Sequence, residues 1–203
     1  MSTNDLTRGL VSALDGDPGH LRLLTGRLAT AAHAEGILDI SYRTVDSPVG
    51  RLLLAATEVG LVRIAYAIED HDKVLQTLAD RISPRILRAP ARLDTTASEL
   101  EEYFNGRRRT FDVPLDWQLT AGFRRAVLNH LPEIGYGQTA TYASVARLAG
   151  SPKAFRAVGS ACATNPLPVV VPCHRVVLSD GGMGRYLGGV DAKRTLLTLE
   201  TPR

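Results

Sequence analysis

The chain has little cysteine, few aromatic residues and no long apolar run. It contains two cysteines in 203 residues, Cys162 and Cys173, which are too few for a disulfide scaffold. No stretch approaches the roughly 20 apolar residues that span a bilayer, and the N-terminus lacks the basic and then apolar pattern of a signal peptide. The five histidines are scattered without zinc-ligand spacing. We therefore expect a cytoplasmic protein with no membrane association, no metal and no cofactor.

The charge of the chain is unevenly distributed. Hydrophobic residues make up 44% of the chain, as is ordinary for a folded protein of one large or two small domains. Residues 121–203 contain ten Lys or Arg against four Asp or Glu, whereas residues 1–120 contain fourteen against seventeen. A basic C-terminal part favours a polyanionic partner, and nucleic acid is the usual one. Solvated helix faces would give the same imbalance.

Residues 1–36 have a polar, helical pattern without catalytic residues. Leucines recur at near-helical spacing on both sides of a break at residues 16–19, which predicts a helical hairpin or a partly ordered extension. These leucines are Leu6, Leu10, Leu14, Leu21, Leu24 and Leu28.

A change to strand periodicity marks the next part, residues 37–115. Apolar residues alternate with polar or small ones, and turns at residues 46–50 and 59–60 separate the runs, which predicts an antiparallel meander. Helical spacing at about 70–82 and 94–105 predicts two helices. The fold class is therefore α+β, with a small N-terminal sheet domain followed by a mainly helical C-terminal domain at 116–203. Nothing in residues 37–115 indicates catalysis.

The C-terminal part contains a helix-turn-helix pattern. A helix at 123–131 ends before Pro132, and a short helix at 142–148 and a second one at 153–163 flank the turn at 150–152. The second helix is rich in Ala and Gly and carries two basic residues. Such a helix can approach another surface closely, either DNA or a neighbouring helix.

A thiol, an imidazole and a guanidinium stand side by side at Cys173, His174 and Arg175, between apolar β-branched runs. The stretch 169–177 has the pattern of a buried strand. Its cysteine is either a nucleophile or an inert buried residue. Neighbouring side chains on a strand point to opposite faces, so His174 would act on the thiol through water, and Glu200 on the last helix is a candidate carboxylate partner.

From Gly122 to Glu200 the chain resembles the O6-alkylguanine-DNA alkyltransferase family, also called methylated-DNA–protein-cysteine methyltransferases. Residues 38–115 are similar to the ribonuclease H-like N-terminal domain of that family, and residues 1–36 have no counterpart in its minimal form. The matching residues include Tyr136-Gly137-Gln138-Thr139, Tyr142, Pro152-Lys153-Ala154, Arg156-Ala157-Val158-Gly159, Asn165-Pro166, Pro172-Cys173-His174-Arg175, Tyr186, Gly188-Gly189, Lys193 and Glu200.

The resemblance implies a single-use alkyl acceptor. Cys173 would attack the alkyl carbon on O6 of guanine, and possible substrates extend to O4-methylthymine. His174 would take the thiol proton through water, and Glu200 would hold the imidazole. The resemblance also implies that Asn165 braces the site and that Tyr142 assists protonation of the guanine. The pocket would be formed by Val176, Met183, Tyr186, Leu187 and Gly188.

The resemblance implies double-stranded DNA containing O6-alkylguanine as the partner of a monomer that could cluster along DNA. Residues 142–163 would sit on the duplex with the second helix in the minor groove, and Arg156 would replace the extruded base. The other implied DNA contacts are Lys153, Ala157, Gly159, Ser160 and Arg175.

Four positions depart from the family pattern. Val127 replaces a usual tryptophan and Gly135 a usual proline, while Arg185 and Leu187 stand where small or polar residues are common. Leu187 puts the range of accepted alkyl groups in doubt. Two other functions fit the same residues: a non-catalytic sensor of alkylated DNA, and a Cys-His hydrolase, for which the sequence indicates no oxyanion hole.

Overall fold

The structure is a computed structural model, and it describes residues 18–201. The first half of the predicted N-terminal hairpin lies outside these residues. The second half is one helix, α1 (Pro18–Ala34), with proline at its first position, where the missing N–H costs no hydrogen bond. The helix is followed by Gly36, two residues beyond its end, whose φ of 66° suits glycine. Ala29 and Ala32 are buried together with Leu38 and Ala89, so the helix packs on the sheet domain.

The sheet has four strands, three of which form the predicted meander. These are β1 (Ile40–Val45), β2 (Leu52–Ala56) and β3 (Leu61–Tyr66), paired antiparallel in sequence. A fourth strand that the sequence analysis missed, β4 (Ile86–Arg88), pairs parallel to β1 and gives the order β3-β2-β1-β4. Three residues are too few to show the alternation of a strand in the sequence. Because β4 runs parallel to β1, the sheet is mixed and not purely antiparallel.

Helices cover both faces of the sheet. The helix α2 (His71–Arg81) buries Val74 and Leu78 against one face, where Leu53 and Val62 also lie. On the other face, α3 (Asp94–Phe104) packs Leu100 and Tyr103 with Leu52 and Leu54. Because successive strand residues point to opposite faces, the apolar run in β2 serves both layers.

As far as residue 201, the C-terminal part has four α-helices and one short strand pair. The helices are α4 (Gly122–His130), α5 (Tyr142–Leu148), α6 (Phe155–Ala163) and α7 (Gly189–Glu200), and β5 (Ala140–Thr141) pairs parallel to β6 (Val176–Val177). The Thr141 hydroxyl accepts a bond from Ser144 N at 3.1 Å and caps α5. The predicted helix-turn-helix is therefore α5 and α6, which pack on each other and on α4.

The second helix of that pair begins later than predicted. Ala154 N donates to Ser151 O at 2.8 Å in a turn, and the helix begins at Phe155. Lys153 therefore lies in the exposed turn before the helix and not on it.

The sheet and the C-terminal helices share one core. Leu52 and Leu54 of the sheet lie in the same buried cluster as Val127 of α4 and Leu196 of α7. Along the edge strand β3, Ile64 N donates to Pro166 O at 2.8 Å. Val127, in the place of the family's tryptophan, is fully buried in this core.

The turn at Gly135 forms without a proline, because Gln138 N donates to Gly135 O at 3.0 Å. Over residues 18–201, none of the helices has the length and apolar character that crossing a membrane would require.

Candidate active site

The segment around Cys173 is a buried turn and not the predicted strand. Val169 has a φ of 74°, which breaks strand geometry despite the β-branched sequence. Cys173 N bonds back to Val171 O at 2.8 Å across Pro172, as in an inverse γ-turn, and Cys173–Arg175 form one 3-10 turn. Only Val176–Val177 are strand. As a result, three consecutive polar side chains are buried: Cys173 bonds Asn165, whereas His174 and Arg175 both bond Glu200.

Asn165 holds this turn in place. The residue is fully buried. Its amide nitrogen donates to Val171 O at 2.8 Å and to the Cys173 sulfur at 3.1 Å, while its oxygen accepts from Leu167 N at 3.0 Å. The amide therefore fixes the backbone before Cys173 and directs a donor at the sulfur.

His174 and Glu200 form a buried pair. Nε2 of His174 lies 2.9 Å from Oε1 of Glu200, and both side chains are at most 1% exposed. Burial lowers the pKa of His174, against the opposing effect of Glu200, so the imidazole is neutral at pH 7. Since a carboxylate accepts only, the hydrogen of the neutral ring is on Nε2. Nδ1 therefore has a free lone pair, and it has no hydrogen-bond partner in the structure.

Glu200 accepts hydrogen bonds from several parts of the chain. Tyr103 donates its hydroxyl to Oε1 at 2.7 Å, and Gly137 N lies 3.3 Å from Oε2. Burial alone would raise the pKa of Glu200, but hydrogen bonds from His174, Arg175 and Tyr103 outweigh it and hold that pKa well below its usual range. The carboxylate is therefore ionised and can stabilise an imidazolium.

Arg175 faces inward, contrary to the expectation that it contacts DNA. Its Nε and one terminal nitrogen bond the two Glu200 oxygens at 2.8 and 2.9 Å. Another nitrogen donates to Ile134 O at 2.6 Å. The side chain is only 6% exposed, because the buried Glu200 needs a cationic partner.

The thiol of Cys173 is neutral in the resting protein. Burial raises its pKa to about 11, against the opposing effects of Asn165, Lys193 and Tyr186. Lys193 is fully buried and donates to the carbonyls of Val176, at 2.6 Å, and of Met183. A buried cation near the sulfur favours the thiolate once a base removes the proton.

The loop between β6 and α7 closes over this turn. The Tyr186 hydroxyl lies 2.8 Å from that of Tyr66 in β3. A Cβ on Gly184 would lie 3.4 Å from the Tyr142 hydroxyl, so Tyr142 reaches the same loop. Leu187 lines a cleft of about 380 Å³ with Asn165.

An exposed face of α6 lies beside the site. Arg156, Ala157 and Ser160 are exposed and Gly159 is half-buried, whereas Val158, Ala161 and Cys162 are buried. The Arg156 guanidinium lies 5.8 Å from the ring centre of Phe155, which is itself 49% exposed. This face therefore carries small side chains and one arginine.

The structure brings Cys173, His174, Glu200 and Asn165 together and leaves Arg156 outside on the helix face. The sequence analysis assigned no site role to Tyr66, Tyr103 or Lys193. Of these three, only Lys193 could have been identified from the sequence, because it is one of the residues that match the family. Within residues 18–201, no group of three His, Cys, Asp or Glu side chains could hold a metal ion.

Two family matches cover most of the chain. Residues 40–117 match the ribonuclease-like domain of 6-O-methylguanine DNA methyltransferase, and residues 122–202 match the DNA binding domain of the same family.

Relatives from archaea and bacteria match the same part of the chain. The Methanosarcina barkeri methylated-DNA–protein-cysteine methyltransferase is 39% identical over 160 residues, covering 78% of this chain and 96% of the relative. The constitutive enzyme of that name from Bacillus subtilis is 36% identical over 163 residues, covering 78% and 94%. A solved structure of Mycobacterium tuberculosis OGT in complex with DNA has a TM-score of 0.66 at 36% identity, covering 79% of this chain and 92% of that one.

Proposed function

This chain belongs to the 6-O-methylguanine DNA methyltransferase family, and we propose that it repairs DNA by moving the alkyl group of O6-alkylguanine onto its own Cys173. The observation that carries the proposal is the buried sulfur of Cys173 beside a histidine whose Nδ1 is free and whose Nε2 is held by Glu200. The reaction is a single displacement at the alkyl carbon. The S–C bond forms as the C–O6 bond breaks, and guanine receives a proton.

Removal of the thiol proton is the first requirement. With a Cys173 pKa of about 11, about one protein molecule in 10⁴ carries the thiolate at pH 7. His174 Nδ1 takes this proton through a water molecule, and Glu200 stabilises the imidazolium that results. Asn165 and Lys193 stabilise the negative sulfur, because both place positive charge or an N–H donor near it.

Protonation of the departing base is the second requirement. Tyr142 keeps its proton at neutral pH, because burial raises its pKa, as do the nearby Cys162 and Cys173. It can therefore donate toward the guanine, so that a neutral base leaves. The thioether left on Cys173 has no leaving path at neutral pH, so one molecule repairs one lesion.

The exposed face of α6 supplies the DNA contact. Small residues at 157, 159 and 160 let the backbone approach the duplex, and Arg156 fills the gap left by the extruded nucleotide. Filling this gap offsets the few kcal/mol that unstacking the base costs. Lys153, in the turn before α6, adds a phosphate contact.

We further predict three properties of the chain. The first is the division into an extension at 1–36, an α+β domain at 37–115 and a DNA-binding and alkyl-transfer domain at 116–203. The others are the monomeric state with clustering along DNA, and the repair of O4-methylthymine.

A duplex with one O6-methylguanine tests the function. We expect wild-type protein to restore guanine and gain one methyl group, and Cys173→Ser to do neither while still binding the duplex. A sensor would bind and leave the lesion intact. Cleavage of a simple ester by wild type but not by Cys173→Ser would instead indicate a hydrolase.

Flipping is tested separately by Arg156→Ala. We expect much slower transfer from duplex DNA, with less loss on the free base O6-benzylguanine if that base is a substrate, because the variant leaves the site under the helix unchanged. Equal loss on both substrates would contradict a role in base extrusion.

A further inference from the structure

Tyr66 reaches the site from the last position of β3. It is 2% exposed, and its hydroxyl lies 2.8 Å from the Tyr186 hydroxyl. The two rings meet edge to face, with centroids 5.8 Å apart. A residue of the sheet domain thus contacts the loop that covers the reactive thiol, although it lies 120 positions before Tyr186 in the chain.

The contact between Tyr66 and the loop is tight. A Cβ on Gly188 would lie 2.7 to 2.8 Å from three carbon atoms of the Tyr66 ring, so only glycine fits there without a shift. The Tyr186 ring also meets the His174 ring edge to face, at 6.5 Å. Tyr186 is therefore held between Tyr66 on one side and the site on the other.

The hydrogen atoms of the two hydroxyls determine what this pair can do. Burial raises the pKa of Tyr66 and of Tyr186, so each keeps its single hydrogen at neutral pH. If Tyr66 donates to the Tyr186 oxygen, the Tyr186 hydrogen is free to donate to another acceptor. The Cys173 sulfur is the candidate acceptor, because Tyr186 packs against the buried cluster that contains Cys173 and lowers the Cys173 pKa.

We propose, resting on the function proposed above, that Tyr66 is a positioning residue for alkyl transfer, since its hydroxyl directs the Tyr186 hydroxyl toward the Cys173 sulfur. Tyr66 touches no reacting atom. It acts through Tyr186, and it makes the sheet domain a contributor to the reactivity of a thiol that lies in the other part of the chain. The donor stabilises the thiolate that forms before the displacement.

Tyr66→Phe tests this proposal, because it removes the hydroxyl and keeps the ring against Gly188. Two quantities are measured: the single-turnover rate on an O6-methylguanine duplex, and the pH dependence of Cys173 alkylation by iodoacetamide. We expect transfer to slow by about 3- to 10-fold, the worth of one hydrogen bond. The iodoacetamide profile should move to higher pH by about 0.5 to 1 unit. Tyr42→Phe removes a hydroxyl from β1 of the same sheet and should change neither quantity.

A double-mutant cycle separates positioning from packing. In a Tyr186→Phe background, adding Tyr66→Phe should change neither the rate nor the profile, because the hydroxyl that Tyr66 directs is already gone. An equal effect in both backgrounds, or no effect of Tyr66→Phe in the wild-type background, would overturn the proposal. Iodoacetamide needs no DNA, so its profile tests Tyr66 even if wild-type protein fails to repair the duplex.

Discussion

Glu200 shows how one buried carboxylate can serve both reactivity and stability. It accepts from His174, the chain neighbour of the reactive cysteine, and from Arg175 and Tyr103. A buried carboxylate is costly unless its oxygens are paired and hydrogen-bonded. Loss of any donor therefore affects the carboxylate first and the imidazole through it.

Arg175 and Arg156 are expected to respond differently to substitution. Arg175→Met leaves Glu200 without its cationic partner and should lower the free energy of unfolding by about 3 to 5 kcal/mol. Arg156→Ala removes an exposed side chain and should change that free energy by less than about 0.5 kcal/mol, while slowing repair of duplex DNA. Urea unfolding of both variants gives the comparison. An Arg175→Met protein as stable as wild type would show that the ion pair with Glu200 is not needed.

The buried pair predicts a loss of stability in acid. The folded-state pKa of His174 lies below its ordinary 6.5 and that of Glu200 below its ordinary 4.5. Depressed values mean that the unfolded chain binds more protons, so the contribution is present above the ordinary pKa and is lost as pH falls. The urea midpoint should fall from pH 7 to 5 as His174 contributes, and further toward pH 4 with Glu200. His174→Asn should flatten the first part of this decline, and an unchanged slope would contradict the assignment.

At the scale of elements, the loop at 181–189 depends on the strand beneath it. Gly188 lies on the Tyr66 ring, with φ of −81° and ψ of 8°. These angles suit alanine, so only the lack of space excludes a side chain there. The loop is thereby fixed against β3 and not only against its own neighbours in sequence.

Gly188→Ala should therefore displace the loop. We expect it to lower the free energy of unfolding by about 1 to 3 kcal/mol, as overpacked buried sites do, and to slow alkyl transfer. Gly26→Ala in α1 is the matched control, since an added Cβ there meets nothing within 4 Å. Because alanine favours a helix more than glycine does, Gly26→Ala should raise the free energy of unfolding by up to about 1 kcal/mol. Urea unfolding of the two variants checks both expectations. The same change in the free energy of unfolding for Gly188→Ala as for Gly26→Ala would indicate that the contact with Tyr66 is loose.

Element types followed from the sequence wherever periodicity was long. The spacing of apolar residues gave α2, α3, α4 and α5 within about two residues of their ends, because these helices bury one clear stripe. The segment at 169–177 was misread as strand. Its conformation depends on Asn165 and on the left-handed φ of Val169, neither of which a run of valines reveals.

Apart from the pairing of His174 with Glu200, contacts between distant parts of the chain were not predicted from the sequence. Tyr103 lies 97 positions before Glu200, and helical spacing identified it only as an apolar-face residue. Arg175 was assigned to DNA on the resemblance to the family, whereas the geometry pairs it with Glu200. Partners of a buried charge are fixed by tertiary packing, which local spacing does not encode.

At the scale of the whole molecule, the sheet and the C-terminal helices should unfold as one cooperative unit. They share a core, the edge of β3 bonds Pro166, and Tyr66 and Tyr103 enter the site. Separate unfolding would expose this shared surface, so we expect one two-state transition. Fluorescence of the single tryptophan, Trp117, and far-ultraviolet circular dichroism should give coincident urea curves. Two resolved transitions would show that the parts are independent.

The claim that Cys173 is the one-time acceptor is tested most directly by a titration with excess damaged duplex, followed by peptide mass mapping. We expect one guanine restored per protein molecule, one methyl group on the peptide that contains Cys173, and none on the peptide that contains Cys162. Restoration of several guanines per molecule, or a methyl group on any other residue, would contradict it.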